Sequence, residues 1–180
     1  MNNEVHSALS GTATEENLNS AFGGEARSHM RYMLYADAAR RSGDPVLARM
    51  LEDFAENEKE HAEIWLEYLG ELGNNMNNIT QIIASEDYEN SVMYPEYADD
   101  AENEGFAEIA DKMRMAANAE GSHSRMLGSY LASLKNGSRY SGDEDTEWHC
   151  TNCNYTLEGA VLPDRCPLCG HPKAYFVKED

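Results

Sequence analysis

Two segments of this 180-residue chain place a glutamate and a histidine in the middle of an apolar helical stripe. In the first segment, Glu58 and His61 interrupt a stripe with the i, i+3, i+4 spacing of an amphipathic helix. In the second, Glu120 and His123 interrupt a similar stripe 62 residues later. An unpaired carboxylate in a protein core costs several kcal/mol, so the fold must gather these charges around something that neutralises them.

The 62-residue offset extends through both helices of each half. Tyr32 matches Tyr94, and Gly43 matches Gly105. Two helical hairpins related by an internal repeat predict an all-α four-helix bundle built from two similar halves. Capping residues and helix breakers predict four helices. The first runs from about Thr14, its N-cap, to Arg41, and the second from Pro45, after the N-cap Asp44, to Leu72. The third runs from Thr80 to Asn103 with a break or kink at Pro95, and the fourth from after Gly105 to about Leu134.

Every predicted helix carries charge on its core-facing side. A single Glu-x-x-His on a helix is more often a solvated face, but two at matching heights, with glutamates on both other helices, favour a metal centre. Oxygen ligands with two imidazoles fit a pair of iron or manganese ions, and Glu-x-x-His lets both side chains reach the same pair. The candidate ligands are Glu25, Glu58, His61, Glu86, Glu89, Glu120 and His123. His29, four residues after Glu25, is interpreted as an outer-shell or surface residue.

All four cysteines fall near the carboxyl terminus, in two Cys-x-x-Cys pairs separated by twelve residues. This spacing predicts a tetrahedral site for iron or zinc formed by Cys150, Cys153, Cys166 and Cys169. Two disulfides are the disfavoured alternative, since the chain shows no signal peptide and a reducing cytoplasm is expected. The predicted domains are therefore a helical domain at residues 1–136, a polar linker at 137–146 and a small metal-binding module at 147–180.

The composition is strongly acidic, with 33 Asp and Glu against 14 Lys and Arg and a formal net charge of −19. Phosphate binding depends on Lys and Arg, so nucleic acids and anionic membrane surfaces are not expected partners. No apolar run approaches the roughly 18–20 residues that a membrane span requires. We expect a soluble, cytoplasmic protein.

The segment around the cysteines resembles a rubredoxin, although Asn154 stands where rubredoxins usually carry glycine after the first pair. Asparagine tolerates the left-handed backbone, so the turn is still expected. Over nearly the whole chain, the sequence resembles the rubrerythrin family, a ferritin-like di-iron four-helix bundle followed by a rubredoxin-like domain. The matching stretches are Ala21-Phe22-Gly23-Gly24-Glu25, Glu58-x-x-His61-Ala62, Glu86-x-x-Glu89 before Met93-Tyr94-Pro95, Glu120-x-x-His123 and the four cysteines.

The resemblance implies a role for each candidate residue. It implies that Glu58 and Glu120 bridge two irons, and that Glu86 and His123 bind one of them. It implies that Glu25 binds the other, together with His61 in the reduced state and Glu89 in the oxidised state. Tyr32 and Tyr94 are implied as hydrogen-bond donors to ligand carboxylates.

The resemblance also implies a peroxidase that reduces hydrogen peroxide to water in oxidative-stress protection. Electrons would pass from an NAD(P)H-linked rubredoxin reductase or similar donor, through one iron in the four-cysteine site, to the di-iron centre. Zinc could replace that iron in a recombinant protein. One alternative is a ferroxidase or iron-handling protein with a structural zinc knuckle, and another is a non-catalytic tail that docks a partner.

The short link between the halves bears on assembly. In a single-chain bundle the second and third helices run parallel, so the chain must return about 30 Å along the bundle between Glu58 and Glu86. Residues 73–80 span at most about 25 Å. We therefore expect a homodimer or higher oligomer in one of two forms: a domain-swapped dimer that exchanges helix pairs, or an unswapped bundle whose third helix starts near Ser85.

Overall fold

The computed structural model describes residues 8–178 of the chain, which divide into two compact units, one ending at Asn78 and one beginning at Ile79. Within residues 8–178, no helix combines the length and apolarity that crossing a bilayer requires.

The first unit is a helical hairpin of α1 (Ala13–Arg41) and α2 (Pro45–Leu69). The N-cap of α1 is Thr12 rather than the predicted Thr14, because the Thr12 side chain accepts the backbone N–H of Glu15. The start of α2 is as predicted, with Asp44 accepting the N–H of Leu47 at 2.9 Å. The left-handed Gly70 ends α2 after Leu69, three residues before the predicted end at Leu72.

A seam of alanines joins α1 to α2. Ala36, Ala39 and Ala48 are buried, with Leu51 packed against them. In the second unit the buried cluster is Ala98, Ala101 and Ala110 with Met113, which is the same set displaced by 62 residues. The internal repeat predicted from the sequence is therefore present in the packing, and small side chains let each pair of helices approach closely.

The second helical pair contains α3 (Asn75–Tyr88), a π-helical turn (Glu89–Met93), α4 (Tyr94–Asn103) and α5 (Ala107–Asn136). The predicted break near Pro95 is this π turn, which directly precedes the proline-containing first turn of α4. Helix α3 begins at Asn75, before the predicted Thr80, so the alternative start near Ser85 is wrong. Only residues 70–74 connect α2 to α3.

The carboxyl-terminal module is a three-stranded antiparallel sheet of β1 (Glu147–Cys150), β2 (Thr156–Glu158) and β3 (Phe176–Lys178), in the order β2-β1-β3. Trp148 and Phe176 are each 1% exposed and form its core with cysteine side chains. The Trp148 indole N–H donates to the carbonyl of Gly159 at 2.9 Å. Asn154 adopts φ 58°, which confirms the predicted left-handed turn.

Candidate metal centres

The first helical pair brings Glu25 of α1 together with Glu58 and His61 of α2. Their ligand atoms all lie within 4.8 Å of one another. The Nδ1 atom of His61 is 3.9 Å from Oε2 of Glu25 and 3.8 Å from Oε2 of Glu58. Glu-x-x-His places Glu58 and His61 one turn apart on α2, and α1 supplies the third group from across the hairpin.

The two carboxyl groups of this cluster titrate as a pair. Their mutual hydrogen bond lowers the pKa of Glu25 and raises the pKa of Glu58, with the nearby negative charge of Glu25 adding to the rise. The indole N–H of Trp65 is buried and makes no regular hydrogen bond, but its approach to Glu25 also lowers the pKa of that carboxyl group. A proton shared by two carboxylates this close is one that a divalent cation can displace.

The second helical pair repeats the arrangement with Glu86 of α3 and Glu120 and His123 of α5. The Nδ1 atom of His123 is 2.8 Å from Oε2 of Glu120 and 3.4 Å from Oε2 of Glu86. Oε2 of Glu86 is buried and accepts no hydrogen bond. A buried carboxylate oxygen without a donor is costly, and a metal ion at this position would supply the missing partner.

The donor atoms of both clusters suit transition-metal ions such as iron. Each cluster offers two carboxylates and one imidazole nitrogen within reach of one ion, a set that fits iron or manganese. Both histidine side chains are about half exposed, 54% for His61 and 55% for His123, so each cluster opens at the surface of its own unit. Six of the seven candidate ligands are therefore brought together as two groups of three.

The remaining predicted site residues lie outside the two clusters. Glu89 begins the π turn, and its Oε1 accepts a hydrogen bond from Ser85 at 3.2 Å. Tyr32 packs against Phe54, with ring centroids 6.0 Å apart. The Nδ1 atom of His29 lies 2.8 Å from the carbonyl oxygen of Ala55, so this side chain connects α1 to α2. The predicted roles of Glu89, Tyr32 and Tyr94 stay predictions.

The four cysteines form the third group. They are not disulfide-bonded, and Sγ of Cys150 lies 3.7 Å from Sγ of Cys169, while that of Cys153 lies 3.6 Å from that of Cys166. A tetrahedron with metal–sulfur bonds of about 2.3 Å has edges of roughly 3.8 Å. The sulfur positions therefore fit a four-thiolate metal site, and the disulfide alternative is wrong.

Burial and backbone amides set the thiol chemistry of this module. Burial raises the pKa of Cys153 to about 12, against an opposing hydrogen bond from the backbone of Tyr155. The backbone N–H of His171 lowers the pKa of Cys169. At neutral pH the Cys153 thiol therefore keeps its proton until a metal ion displaces it, so metal binding to this site releases protons.

Two features of the site had escaped the sequence patterns. The π turn has a signal that could have found it: the repeat offset is 62 from Tyr32 to Tyr94 but 61 from Glu25 to Glu86, which marks one inserted residue. The approach of Trp65 to Glu25 has no such signal, because an indole on an apolar stripe is indistinguishable by spacing from an ordinary core residue.

Comparison with known proteins follows the same division of the chain. A family model described as Rubrerythrin matches residues 16–131, and a second, described as the rubredoxin-like domain of rubrerythrin, matches residues 148–177. Among curated proteins, the rubrerythrin of Porphyromonas gingivalis is 34% identical, covering 96% of this chain and 93% of its own length. The rubrerythrin of Clostridium perfringens is 35% identical, covering 94% of this chain and 95% of its own length.

Among solved structures, a chain of nigerythrin in a mixed-valence state is 27% identical, covering 95% of this chain and 88% of its own, with a TM-score of 0.34. A partially reduced state of nigerythrin is 28% identical, covering 96% and 90%, with a TM-score of 0.36.

Proposed function

Since this chain belongs to the rubrerythrin family, with a ferritin-like helical part followed by a rubredoxin-like domain, we propose that it is an iron oxidoreductase that reduces hydrogen peroxide to water. The observation that carries the proposal is the presence, in one chain, of two carboxylate–imidazole clusters and one four-thiolate site. Iron held by the two clusters suits a reaction with a peroxide, and iron held by the four thiolates suits one-electron transfer.

The chain's own residues would hold the iron and accommodate its changes of charge. Glu58 and Glu120 would be the carboxylates shared by the two irons, with Glu25 and His61 as further ligands of one iron and Glu86 and His123 as further ligands of the other. Glu89 would take the place of His61 as a ligand in the oxidised protein, because a carboxylate favours the ferric ion. When bound, the iron pair supplies the two electrons that, with two protons, convert one peroxide molecule into two waters.

The rubredoxin-like module is the proposed electron entry. One iron in the four cysteines would accept single electrons from an NAD(P)H-linked reductase and pass them to the di-iron centre. The buried Trp148 and Phe176 hold the β-sheet around the cysteines, and backbone amides donate to the sulfurs. Hydrogen bonds of this kind stabilise thiolate ligands and tune the potential of their metal.

Single-turnover kinetics test the peroxidase proposal. The iron-loaded, dithionite-reduced protein should be oxidised by one equivalent of peroxide at least about tenfold faster than by air-saturated buffer. A Cys169→Ser variant should keep this first oxidation and lose repeated turnover, because only the entry of electrons is removed. Equal rates with peroxide and air would overturn the proposal, and uptake of many ferrous ions per chain would favour the iron-handling alternative instead.

We further propose that the protein is a domain-swapped homodimer, in which α1 and α2 of one chain share a di-iron site with α3, α4 and α5 of another. Glu58 stands about 16.5 Å before the end of α2, and Glu86 about 16.5 Å after the start of α3. A single-chain site would therefore require a return of about 33 Å, whereas residues 70–74 let Leu69 and Asn75 separate by at most about 21 Å. Large apolar side chains left open on the first unit, including Met50 at 46% and Phe54 at 44%, also support a partner.

Complementation tests the exchange of helix pairs. A Glu25→Ala chain and a Glu86→Ala chain are each expected to lack a complete site. In a mixed swapped dimer, one of the two sites combines both altered halves and the other combines two unaltered halves. Co-expression with random pairing should restore about a quarter of wild-type activity, while an unswapped assembly would restore none.

A further inference from the structure

The second helical pair accommodates one residue more than the first. Glu25 and Tyr32 are seven residues apart on the regular helix α1, whereas Glu86 and Tyr94 are eight apart. The π turn lies between the latter two, with the N–H of Tyr94 bonded to the carbonyl of Glu89. Turns of this kind are rare and widen a helix by one residue. The extra residue thus leaves Glu86 in the position equivalent to Glu25.

The wide turn presses against α5 at one glycine. A Cβ atom added to Gly121 would lie 2.7 Å from Oδ1 and 2.9 Å from Cγ of Asn90, which is closer than any ordinary contact. The equivalent position of the first pair is Lys59, an exposed residue on α2 opposite an unbroken helix. The glycine is therefore present in the half where the π turn requires space.

A second cross-helix contact lies one turn away. The Ser124 hydroxyl, 8% exposed, donates to Oδ1 of Asp87 at 2.5 Å. Its equivalent in the first pair is the buried Ala62, which cannot form this bond. All four contact residues directly follow candidate ligands, as Asp87 follows Glu86, Asn90 follows Glu89, Gly121 follows Glu120 and Ser124 follows His123.

We propose that the Asn90–Gly121 contact, supported by the Asp87–Ser124 hydrogen bond, positions the ligands of the second half by fixing the approach of α5 to the π turn. These are positioning residues, since none of them supplies a ligand. The inference rests on the proposed metal-binding function, but not on peroxide as the substrate. Groups that orient metal ligands typically change metal affinity about 10- to 100-fold when they are altered.

Cobalt titration of the full-length protein tests the proposal. The four-cysteine site should fill first, as followed by thiolate-to-cobalt charge-transfer absorption, and the later equivalents should report on the carboxylate–imidazole clusters. Gly121→Ala should weaken this later binding about tenfold or more. The double variant Asn90→Ala with Gly121→Ala should recover most of the affinity, because Asn90→Ala removes all three atoms that the added methyl would meet.

Gly128→Ala is the matched control. Gly128 lies on the same helix, and nothing stands within 4 Å of its added Cβ. Both glycine replacements raise helix propensity alike, so only the contact with Asn90 separates them. Thermal unfolding of the metal-free proteins shows whether a loss of affinity is merely a loss of fold, and Ser124→Ala should give a smaller loss of about two- to fivefold.

The outcomes separate the two proposals. If Gly121→Ala binds cobalt as Gly128→Ala does, or if Asn90→Ala fails to rescue it, the positioning proposal is overturned while the proposed function stands. A wild-type protein that binds no cobalt beyond the four-cysteine site would overturn both. Normal cobalt binding without peroxide reactivity would overturn the proposed function alone.

Discussion

The first helical pair carries Glu25 on an unbroken α-helix, whereas the second carries Glu86 just ahead of a π turn. In a regular α-helix, one extra residue between Glu86 and Tyr94 would rotate the glutamate by about 100° around the helix axis. Instead, both halves present one glutamate to a Glu-x-x-His on the neighbouring helix. This difference indicates that a duplicated metal-ligand position can be kept after a one-residue insertion. A π turn accommodates the extra residue, and the neighbouring helix carries a glycine opposite it.

Removal of the glutamate from either Glu-x-x-His motif should lower iron binding and peroxide reactivity equally in the two halves, and it is the largest effect we expect. Glu58→Ala and Glu120→Ala should each lower bound iron from about three ions per chain towards one and slow oxidation by peroxide at least about a hundredfold. Metal analysis and stopped-flow absorption measure both quantities. The control is Glu108→Ala, in the exposed first turn of α5, which should change neither. If one half tolerates the loss, the two clusters are not equivalent.

The pH dependence of metal binding is the next largest expected effect, and it tests the carboxyl groups of the first cluster. The raised pKa of Glu58 means that a proton competes with the metal ion for the first cluster. Below the pKa of Glu58, metal binding must release this proton, so affinity should rise with pH by up to about tenfold per pH unit for each proton released. Cobalt titrations between about pH 4 and 7, with calorimetry in two buffers to count protons, measure the effect. A pH-independent affinity would contradict the assignment of these carboxyl groups to the metal.

The seam alanines provide a stability test of the same repeat. Ala48 is 1% exposed and Ala110 is 0% exposed, at equivalent positions of the two halves. Leucine at either position would overpack the seam, so Ala48→Leu and Ala110→Leu should each lower the free energy of unfolding by about 1–3 kcal/mol. Urea unfolding followed by circular dichroism measures this. Ala107→Leu, on an exposed position, is the control. A large loss in only one half would show that the two seams differ in their ability to relax.

The sequence predicted the helical repeat, the charged core positions and the thiolate site because each depends on spacing. It did not indicate which apolar residues each hairpin buries by itself. The i, i+3, i+4 stripe that Glu58 and His61 interrupt also contains Met50 and Phe54, but within the unit these two remain 46% and 44% exposed, and the buried seam consists of alanines. Spacing identifies a face of a helix without identifying which neighbour covers it. The start of α3 was also misplaced, since the polar run Asn74–Asn78 resembles a loop although residues 75–78 are helical.

The smallest expected effect concerns the turn that closes each hairpin. Gly43 (φ 85°) and Gly105 (φ 90°) are equivalent left-handed glycines, and an added Cβ would meet nothing within 4 Å at either. Alanine at either position therefore introduces backbone strain without a clash, and each replacement should lower stability by about 1 kcal/mol. Asparagine should cost less because it tolerates this conformation. Gly128→Ala, inside a helix, should instead raise stability by about 0.5–1 kcal/mol. Thermal unfolding compares the two turns directly. Equal losses of stability would show that the turns of the two halves are also equivalent, whereas a loss at Gly105 alone would place the backbone strain in the half that already contains the π turn.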